Sequence, residues 1–247
     1  MQISHIQPMR EYVWVGTTHR LVAYALVMSV MSSPAVHTEV RPGVAAAGSL
    51  SGIARVIDGD TIAIGETRVR LEGIDAPESG QTCGRRWFGS WACGAAATAE
   101  LARIIGDKSV NCDPRGLDRY GRTLAVCFVD GRDINAQMVR RGYAWAFVKY
   151  SRLYVGEEAQ ARAEGLGVWQ GEAMPPWEYR ARQWTTAETQ APSGCAIKGN
   201  VTRNGRIYHM PWSPWYAQIR MEPEKGKRWF CTEAEALAAG WRPVQAH

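Results

Sequence analysis

A two-residue alternation of apolar and polar side chains marks the first segment whose secondary structure the sequence defines. Residues 62–71 have the sequence IAIGETRVRL, which predicts a strand, a tight turn and a second strand. Asp58 and Gly59 precede this hairpin and predict another tight turn, because glycine enters the positive-φ region without a steric penalty. Residues 123–129, TLAVCFV, predict the strand that leaves a further turn at Gly121. The pattern indicates a β-rich core of short, closely connected strands.

The C-terminal part of the chain has the pattern of a second, smaller unit. In it Thr232 and Glu235 form a capping box that begins a helix, and Gly240 is placed to end that helix. A stretch rich in Thr, Ala, Gln and Pro precedes the unit and predicts a linker. The predicted division is therefore a larger domain at 51–172, a linker at 173–194 and a C-terminal module at 195–247.

The N-terminal segment predicts an export signal. Arg10 and Arg20 precede an apolar run at residues 21–31, which is shorter than the roughly 20 residues that span a bilayer. We therefore assign residues 1–35 to a signal peptide and 36–50 to a linker, with an uncleaved anchor or a disordered leader as alternatives. The expected location of the mature protein is the periplasm or the extracellular medium. No stable membrane association is expected once the signal has been removed.

The cysteines support export independently of the signal. There are six, and none forms the Cys-x₂-Cys spacing that a zinc site needs. Pairing of neighbours along the chain, one of the connectivities that six cysteines allow, gives the bridges Cys83–Cys93, Cys112–Cys127 and Cys195–Cys231. A bridge in the C-terminal module is expected because a unit of about 50 residues has too small a core to rely on alone. The alternative is six free thiols in a cytosolic protein.

Composition and charge change this picture little. The 247 residues are 46% hydrophobic and carry a net charge of +5, as in many globular proteins. Residues 195–247 hold eight Lys and Arg against four Asp and Glu, so much of the basic excess lies in the C-terminal module. A basic surface strengthens binding to nucleic acid through counterion release, but a solvated basic face explains the same count equally well.

Candidate chemistry is concentrated in residues 58–78. A hairpin separates Asp60 from Asp75 and can bring the two carboxylates side by side. Adjacent carboxylates repel unless a cation lies between them, and oxygen ligands without His or Cys favour Ca²⁺ or Mg²⁺. Pro77 prevents a helix from running through the segment, so Glu78 is held at a strand end beside the same point.

Two arginines complete the constellation. Arg70 lies in the hairpin, and Arg122 follows the turn at Gly121. A phosphodiester hydrolase needs a cation to polarise the phosphoryl oxygen, guanidinium groups to bind the developing charge, and a carboxylate to act on water. Residues 58–78 together with Arg122 therefore supply the side chains that this reaction requires and the carboxylates that would hold its cation. A solvated arginine on a hairpin is the alternative explanation of Arg122.

These residues resemble the staphylococcal-nuclease-like (thermonuclease) family. The matching motifs are DGDT at 58–61, RLEGIDAPE at 70–78, DRYGR at 118–122, Asn135 with MVRRG at 138–142, and GVW at 167–169. The resemblance implies a β-rich α+β fold, in which a five-stranded OB-type barrel with about three helices precedes the small C-terminal domain. It also implies calcium-dependent hydrolysis of DNA and RNA to products with 3′-phosphates. The Cys- and Trp-rich C-terminal module resembles one found in exported bacterial members.

The resemblance further implies a role for each matching residue. Asp60 and Asp75 correspond to the carboxylates that hold Ca²⁺, and Ala76 corresponds to the ligand that uses its backbone carbonyl. The founding enzyme of the family has a threonine at the position of Ala76, and this difference matters little for a ligand that uses its backbone carbonyl.

The remaining site residues correspond to groups that act on the substrate. Glu78 corresponds to the general base or water-orienting residue, and Arg70 and Arg122 correspond to the phosphate-binding pair. Arg119 and Tyr120 fall where the family contacts the nucleotide phosphate. A second function class, a non-catalytic nucleic-acid-binding or envelope-associated OB-fold protein, is the alternative. The presence of every charged site residue favours the enzyme.

Overall fold

The computed structural model describes residues 49–244, so the predicted signal peptide and nearly all of the linker at 36–50 lie outside the described residues. Within this range the strands are β1 (Leu50–Asp58), β2 (Thr61–Ile64), β3 (Thr67–Leu71), β4 (Ile74–Asp75), β5 (Cys83–Gly84), β6 (Ser90–Trp91), β7 (Ser109–Leu117), β8 (Thr123–Val129), β9 (Arg132–Asp133), β10 (Trp145–Ala146), β11 (Ile197–Thr202), β12 (Gly205–His209), β13 (Arg228–Phe230) and β14 (Arg242–Pro243).

The helices in the same range are α1 (Cys93–Ile105), α2 (Ile134–Arg140), α3 (Val155–Glu164), α4 (Pro176–Gln190) and α5 (Glu233–Ala238). Short 3-10 turns lie at Gly167–Gln170, Pro192–Gly194, Tyr216–Gln218 and Pro223–Lys225. None of the described helices has the length and apolar character needed to cross a bilayer.

Five strands close into the predicted OB-type barrel. β1, β2 and β3 form an antiparallel meander, β1 also pairs with β7, and β7 pairs with β8. The parallel pairing of β3 with β8 closes the barrel and places Arg70 opposite Leu124. Alternation along β3 buries Val69 and Leu71 in the core and leaves Arg70 between them on the outer face. The β-rich α+β prediction is confirmed, with α1, α2 and α3 in the barrel domain.

The turn between β1 and β2 admits only glycine at its centre. A Cβ atom on Gly59 would lie 2.7 Å from the Cβ of Ala76 and 2.9 Å from the Cβ of Ala97. The carboxylate of Asp58 closes the turn by accepting a hydrogen bond of 3.1 Å from the backbone N–H of Asp60. This close packing holds Asp60 against the segment that follows β4.

Asn135 ties helix α2 to the barrel. Its side chain is fully buried, and its Nδ2 donates to the carbonyls of Glu72 at 2.9 Å and Ala125 at 3.2 Å. Its Oδ1 accepts from the backbone N–H of Cys127 at 3.2 Å. A single amide therefore joins α2 to the backbone of two barrel segments through three hydrogen bonds.

All six cysteines pair as nearest neighbours, so the predicted bridges Cys83–Cys93, Cys112–Cys127 and Cys195–Cys231 are confirmed. The second bridge joins residues that lie directly opposite each other in the β7–β8 ladder. The first packs against Trp145 and Val168 and ties β5 to the start of α1. The alternative of six free thiols is wrong for this structure.

The C-terminal module is a four-stranded sheet in the order β13-β11-β12-β14, with α5 beside it. Its small core consists of Ile197, Tyr208, Phe230, Ala236 and Trp241. The predicted helix cap is present, because Thr232 Oγ1 accepts from the N–H of Glu235 at 3.1 Å. Glu235 in turn accepts from the N–H of Cys231 at 2.9 Å, which fixes the end of the bridge in this module.

The segment predicted as a linker at 173–194 is helical over most of its length, as α4. Pro176 occupies the first helical position, where a missing N–H costs nothing, and the residues after it contain neither glycine nor proline. Trp177 stacks on Phe147 of the barrel domain with ring centroids 5.5 Å apart. The composition of the Thr-rich end predicted a linker because its intrinsic helical propensity is weak. Tertiary packing of this kind outweighs that weak propensity.

We expect Asn135→Ala to lower the free energy of unfolding by about 2–4 kcal/mol, because it removes three hydrogen bonds between the buried amide and the barrel backbone. Urea denaturation of the oxidised protein measures the change. Asn111→Ala, at an exposed position on β7, is the matched control and should change stability by less than about 0.5 kcal/mol. Equal stability of the two variants would show that Asn135 does not tie α2 to the barrel.

Candidate active site

A single guanidinium joins the first two predicted carboxylates. Arg70 donates from Nη2 to Asp75 Oδ1 at 2.8 Å, and its Nη1 forms a short ion pair with Asp60. Both carboxylates are buried, and the arginine side chain is 16% exposed. The β2–β3 register places Arg70 opposite Thr61, the residue after Asp60, so the hairpin brings these groups together as predicted.

The backbone fixes the two aspartates independently of Arg70. Asp60 Oδ2 accepts from the N–H of Ala76 at 2.7 Å, which locks the β1–β2 turn to the residue after Asp75. Asp75 lies on β4, opposite Trp145 on β10, and its side chain is completely inaccessible to solvent. The acidic groups are therefore held by rigid strands and tight turns, which favours a preorganised site.

Glu78 is held in a loop with little freedom. Its backbone N–H donates to the side chain of Gln81 at 3.2 Å, and Gln81 is itself buried and donates to the carbonyl of Met174 at 2.6 Å. Helix α1 starts so close to Glu78 that a Cβ on Gly94 would lie 1.7 Å from the Glu78 carbonyl oxygen. The Cys83–Cys93 bridge ties the segment that follows Glu78 to the start of α1, so the disulfide lies where it restrains the predicted base.

An arginine that the sequence analysis did not single out completes the cluster. Arg180 of α4 donates from Nη2 to Asp75 Oδ2 at 2.7 Å and from Nη1 to Asp75 Oδ1 at 3.1 Å. Its Nη1 also lies 2.7 Å from Glu78 Oε1. Arg180 belongs to a segment predicted as a linker, and a single arginine there carries no motif that could have identified it.

The pKa values reflect this burial and pairing. Burial raises the pKa of Glu78 to about 7, although the neighbouring Arg180 acts in the opposite direction. Burial alone would lower the pKa of Arg180, but its bonds to Asp75 and Glu78 outweigh that effect and raise the pKa above its ordinary value. The cluster therefore contains a carboxyl group whose proton affinity differs strongly from that of a solvated glutamate.

Arg122 forms a separate, neighbouring cluster. Its Nε donates to Asp118 Oδ2 at 2.6 Å, and Asp118 Oδ1 accepts from the N–H groups of Tyr120 at 2.8 Å and Arg122 at 2.9 Å. Although burial acts in the opposite direction, these contacts hold the pKa of Asp118 below its usual range. The guanidinium groups of Arg119 and Arg122 lie 4.6 and 5.4 Å from the ring centroid of Tyr120. Three of the four residues predicted to contact phosphate, Arg119, Tyr120 and Arg122, thus lie together, and the fourth, Arg70, belongs to the first cluster.

The β3–β8 register relates the two clusters. Val69 pairs with Thr123, so the turn that carries Arg122 lies beside the strand that carries Arg70. In the structure the guanidinium of Arg122 bonds to Asp118, whereas that of Arg70 bonds to Asp60 and Asp75.

The acidic residues suit a hard divalent cation in ligand type and in charge. Asp60 and Asp75 share one guanidinium, so both lie within reach of a single positive centre, and the backbone of Ala76 is adjacent. These donors are all oxygen, which favours Ca²⁺ or Mg²⁺ over zinc. Among residues 49–244, no three His, Cys, Asp or Glu side chains converge with metal-binding geometry.

The C-terminal module lies against the loop that carries Glu78. A Cβ on Gly80 would lie 3.4 Å from the Cα of Pro214, and Trp184 of α4 packs on the core of the module. The charge of Glu233 is close enough to raise the pKa of Tyr120, although burial of the phenol is the larger cause. The module therefore borders the candidate site instead of standing apart from it.

Comparisons with known proteins agree with this geometry. A family model described as "Staphylococcal nuclease homologue" matches residues 68–171, and a second family model, ArfC, matches residues 179–243. The second match includes Arg180 as well as the C-terminal module.

Similar proteins come from several bacteria. The chain is 36% identical to the "Micrococcal nuclease" of Shigella flexneri over 146 residues, 52% of this chain and 78% of the relative. It is 36% identical to the "Succinoglycan biosynthesis protein ExoI" of Rhizobium meliloti (strain 1021) over 140 residues, 56% of this chain and 72% of the relative. It is 32% identical to an "Uncharacterized endonuclease" of Haemophilus influenzae over 139 residues, 53% of this chain and 72% of the relative. With the OB-type barrel and the acidic cluster, these matches show that the chain belongs to the staphylococcal-nuclease-like family of hydrolases.

Proposed function

We propose that the protein is a calcium-dependent phosphodiester hydrolase that cleaves DNA, RNA or both to products with 3′-phosphates. One observation carries the proposal: Arg70 holds Asp60 and Asp75 in a single buried cluster, and Glu78 lies at its edge. Binding modules that only recognise nucleic acid have no need for two buried carboxylates, because these repel the phosphates they would bind.

The acidic residues divide into metal ligands and a base. Asp60, Asp75 and the backbone carbonyl of Ala76 would hold Ca²⁺. Bound there, the cation would polarise a phosphoryl oxygen and offset the charge of the phosphate. Glu78 lies at the exposed edge of the cluster, with its side chain 20% accessible, where its carboxylate can orient a water molecule or take its proton.

The arginines bind the phosphate. Arg70 presents a guanidinium that is fixed by two carboxylates, and Arg122 presents one that is fixed by Asp118. Fixed guanidinium groups stabilise charge on a pentacoordinate phosphorus without reorganisation at the moment of reaction. Arg119 and Tyr120 would contact the phosphate of the bound nucleotide from the same turn.

We also propose that the protein acts outside the cytosol. Three disulfides in residues 49–244 suit an oxidising compartment, since thiols are kept reduced in the cytosol. The alternative function, a non-catalytic nucleic-acid-binding or envelope-associated protein, has one observation in its favour. Asp75 and Glu78 already have a cationic partner in Arg180, as structural carboxylates do. The catalytic variants below distinguish the two functions.

We expect Glu78→Gln to lower kcat on single-stranded DNA by about 10²–10⁴-fold, because the amide cannot accept a proton from water. The rate is measured with the oxidised protein in saturating Ca²⁺. Glu66→Gln removes an exposed carboxylate from the β2–β3 turn and serves as the control, with an expected rate equal to that of the wild type. Wild-type turnover by Glu78→Gln would remove this residue from the mechanism.

Arg122→Ala should reduce kcat by about 10²–10³-fold, because it removes a fixed donor to the transition state. The control is Arg132→Ala, which removes an exposed arginine from the start of β9. Equal activity of the two variants would identify Arg122 as a structural partner of Asp118 alone.

Asp60→Asn should raise the Ca²⁺ concentration for half-maximal activity by about tenfold or more, because calcium affinity follows the charge of its ligands. Thermal unfolding in EDTA checks that the variant is folded. A folded variant with an unchanged calcium midpoint would place the metal elsewhere.

A further inference from the structure

Helix α4 brings a cation into the acidic cluster from outside the barrel domain. Arg180 lies beyond residues 68–171, the part that matches the nuclease family, and within residues 179–243, the part that matches the second family. Its guanidinium binds Asp75 through two hydrogen bonds of 2.7 and 3.1 Å and Glu78 through one of 2.7 Å. A guanidinium that makes three such bonds is held in a defined place, unlike a solvated surface arginine.

Packing on both sides holds α4 in this position. At its start, Trp177 stacks on Phe147 and the carbonyl of Met174 accepts from the buried side chain of Gln81. Further along, Trp184 packs on the core of the C-terminal module, and its ring centroid lies 6.3 Å from that of Trp212. The helix is thus anchored to the barrel domain at one end and to the C-terminal module towards the other.

Arg180 uses the oxygen atoms that a metal ion would need. Both oxygens of Asp75 accept bonds from Arg180, and Oδ1 also accepts from Arg70. The side chain of Asp75 is completely buried, so it has no solvent-facing lone pair to offer a cation. A divalent ion on Asp75 would also lie next to a guanidinium of the same sign, which repels it.

The net charge of the cluster also favours exchange of Arg180 for a divalent ion over addition of the ion beside it. The cluster contains three carboxylates, Asp60, Asp75 and Glu78, and two guanidinium groups, Arg70 and Arg180. Its formal charge is therefore −1 with all groups ionised. Exchange of Arg180 for a divalent ion would make the cluster neutral, whereas addition of the ion without that exchange would leave a buried excess of +1. Buried uncompensated charge is strongly unfavourable.

We infer that Arg180 and a divalent cation are mutually exclusive partners of Asp75, so that Ca²⁺ binding releases Arg180 and loosens α4 from the active site. The inference rests on the metal site of the proposed function. By linkage, the contact with Arg180 weakens calcium binding to the same degree that calcium weakens the contact. How firmly α4, which leads to the C-terminal module, is held at the active site thereby depends on whether the site holds Ca²⁺.

Calcium affinity tests the competition directly. Isothermal titration calorimetry with Ca²⁺ on the full, oxidised chain compares the wild type with Arg180→Ala. We expect the variant to bind Ca²⁺ at least tenfold more tightly. Arg182→Ala, which removes an exposed arginine two residues along the same helix, is the control and should bind like the wild type. An Arg180→Ala affinity equal to or weaker than that of the wild type would overturn the inference.

Hydrogen exchange of α4 provides a readout that does not depend on affinity. In the wild type, Ca²⁺ should accelerate amide exchange in peptides covering residues 176–190. In Arg180→Ala exchange should be fast with or without Ca²⁺. Exchange in the wild type that calcium leaves unchanged would contradict the release of the helix.

The two experiments separate this inference from the proposed function. A wild type that binds Ca²⁺ and cleaves DNA, with no effect of Arg180→Ala on affinity or exchange, would refute the role of Arg180 and leave the nuclease intact. Absence of calcium binding in both proteins would overturn the metal site itself, and the role of Arg180 with it.

The loop that follows Glu78 exposes two adjacent aromatic side chains. The hairpin of β5 and β6, closed by the Cys83–Cys93 bridge, carries Trp87 and Phe88 at its tip, with 78% and 91% of their surfaces exposed. Two adjacent apolar rings at such exposure indicate a contact surface, since single exposed apolar residues are common but exposed aromatic pairs are not.

Two arginines beside these rings favour single-stranded nucleic acid as the partner. Arg85 and Arg86 precede the aromatic pair, and the guanidinium of Arg86 lies 5.5 Å from the ring centroid of Trp87. Exposed aromatics next to arginines bind single-stranded nucleic acid, because bases stack on the rings while the cations contact phosphates. We propose that residues 85–88 hold an unpaired strand of the substrate, which deepens the proposed function by favouring single-stranded substrates.

Binding to a labelled oligothymidylate, measured by fluorescence anisotropy with the Glu78→Gln protein as background, tests this surface. Adding Trp87→Ala should weaken binding by about fivefold or more. Adding Ile53→Ala, which removes a comparably exposed apolar side chain from β1, should have no effect. The proposed role of residues 85–88 would be overturned if Trp87→Ala left the oligonucleotide affinity unchanged. It would also be overturned if Trp87→Ala weakened binding to phosphatidylglycerol vesicles without any effect on oligonucleotide binding. Cleavage is measured separately with the protein that retains Glu78. Neither outcome of the binding experiment therefore decides whether the protein is a nuclease.

Discussion

The paired hydrogen bonds from Arg70 to Asp60 and Asp75 are the interaction on which the rest of the site depends. Two buried carboxylates close enough to share one guanidinium would repel each other without it, and the positive charge of Arg70 offsets that repulsion. The barrel supplies the geometry: pairing of β2 with β3 sets the position of Arg70, and Gly59 allows the turn before β2 to pack against Ala76. The same hairpin therefore forms part of the barrel and brings the charged groups of the site together at the edge of the apolar core.

The same electrostatic requirement explains the part of the chain that lies outside the barrel. A cluster rich in carboxylates needs more positive charge than Arg70 supplies, and Arg180 provides it from α4. This arrangement makes the segment between the two domains part of the site. It also brings the C-terminal module next to the loop after Glu78, where Pro214 lies against Gly80. A metal ion that takes over the role of Arg180 would alter contacts well beyond its own ligands.

Local signals predicted much of this structure from the sequence. Two-residue alternation and the turn glycines gave the hairpin that carries Asp60 and Arg70, neighbour pairing gave all three disulfides, and the capping box at Thr232 gave α5. The contact of Arg180 with Asp75 could not be predicted, because it joins residues 105 positions apart and carries no motif. Nor could the continuation of α4 through the Thr-rich stretch, because that helix is held by packing of Trp177 and Trp184 on two separate cores.

The most direct test of the account is end-group analysis of single-stranded DNA treated with the oxidised protein, in Ca²⁺ and in EGTA. The proposed function predicts cleavage in Ca²⁺ alone, with products whose 3′ ends carry phosphate and become extendable only after phosphatase treatment. Retained binding to the DNA without cleavage in either condition would contradict it, and would assign the barrel and the C-terminal module to nucleic-acid binding.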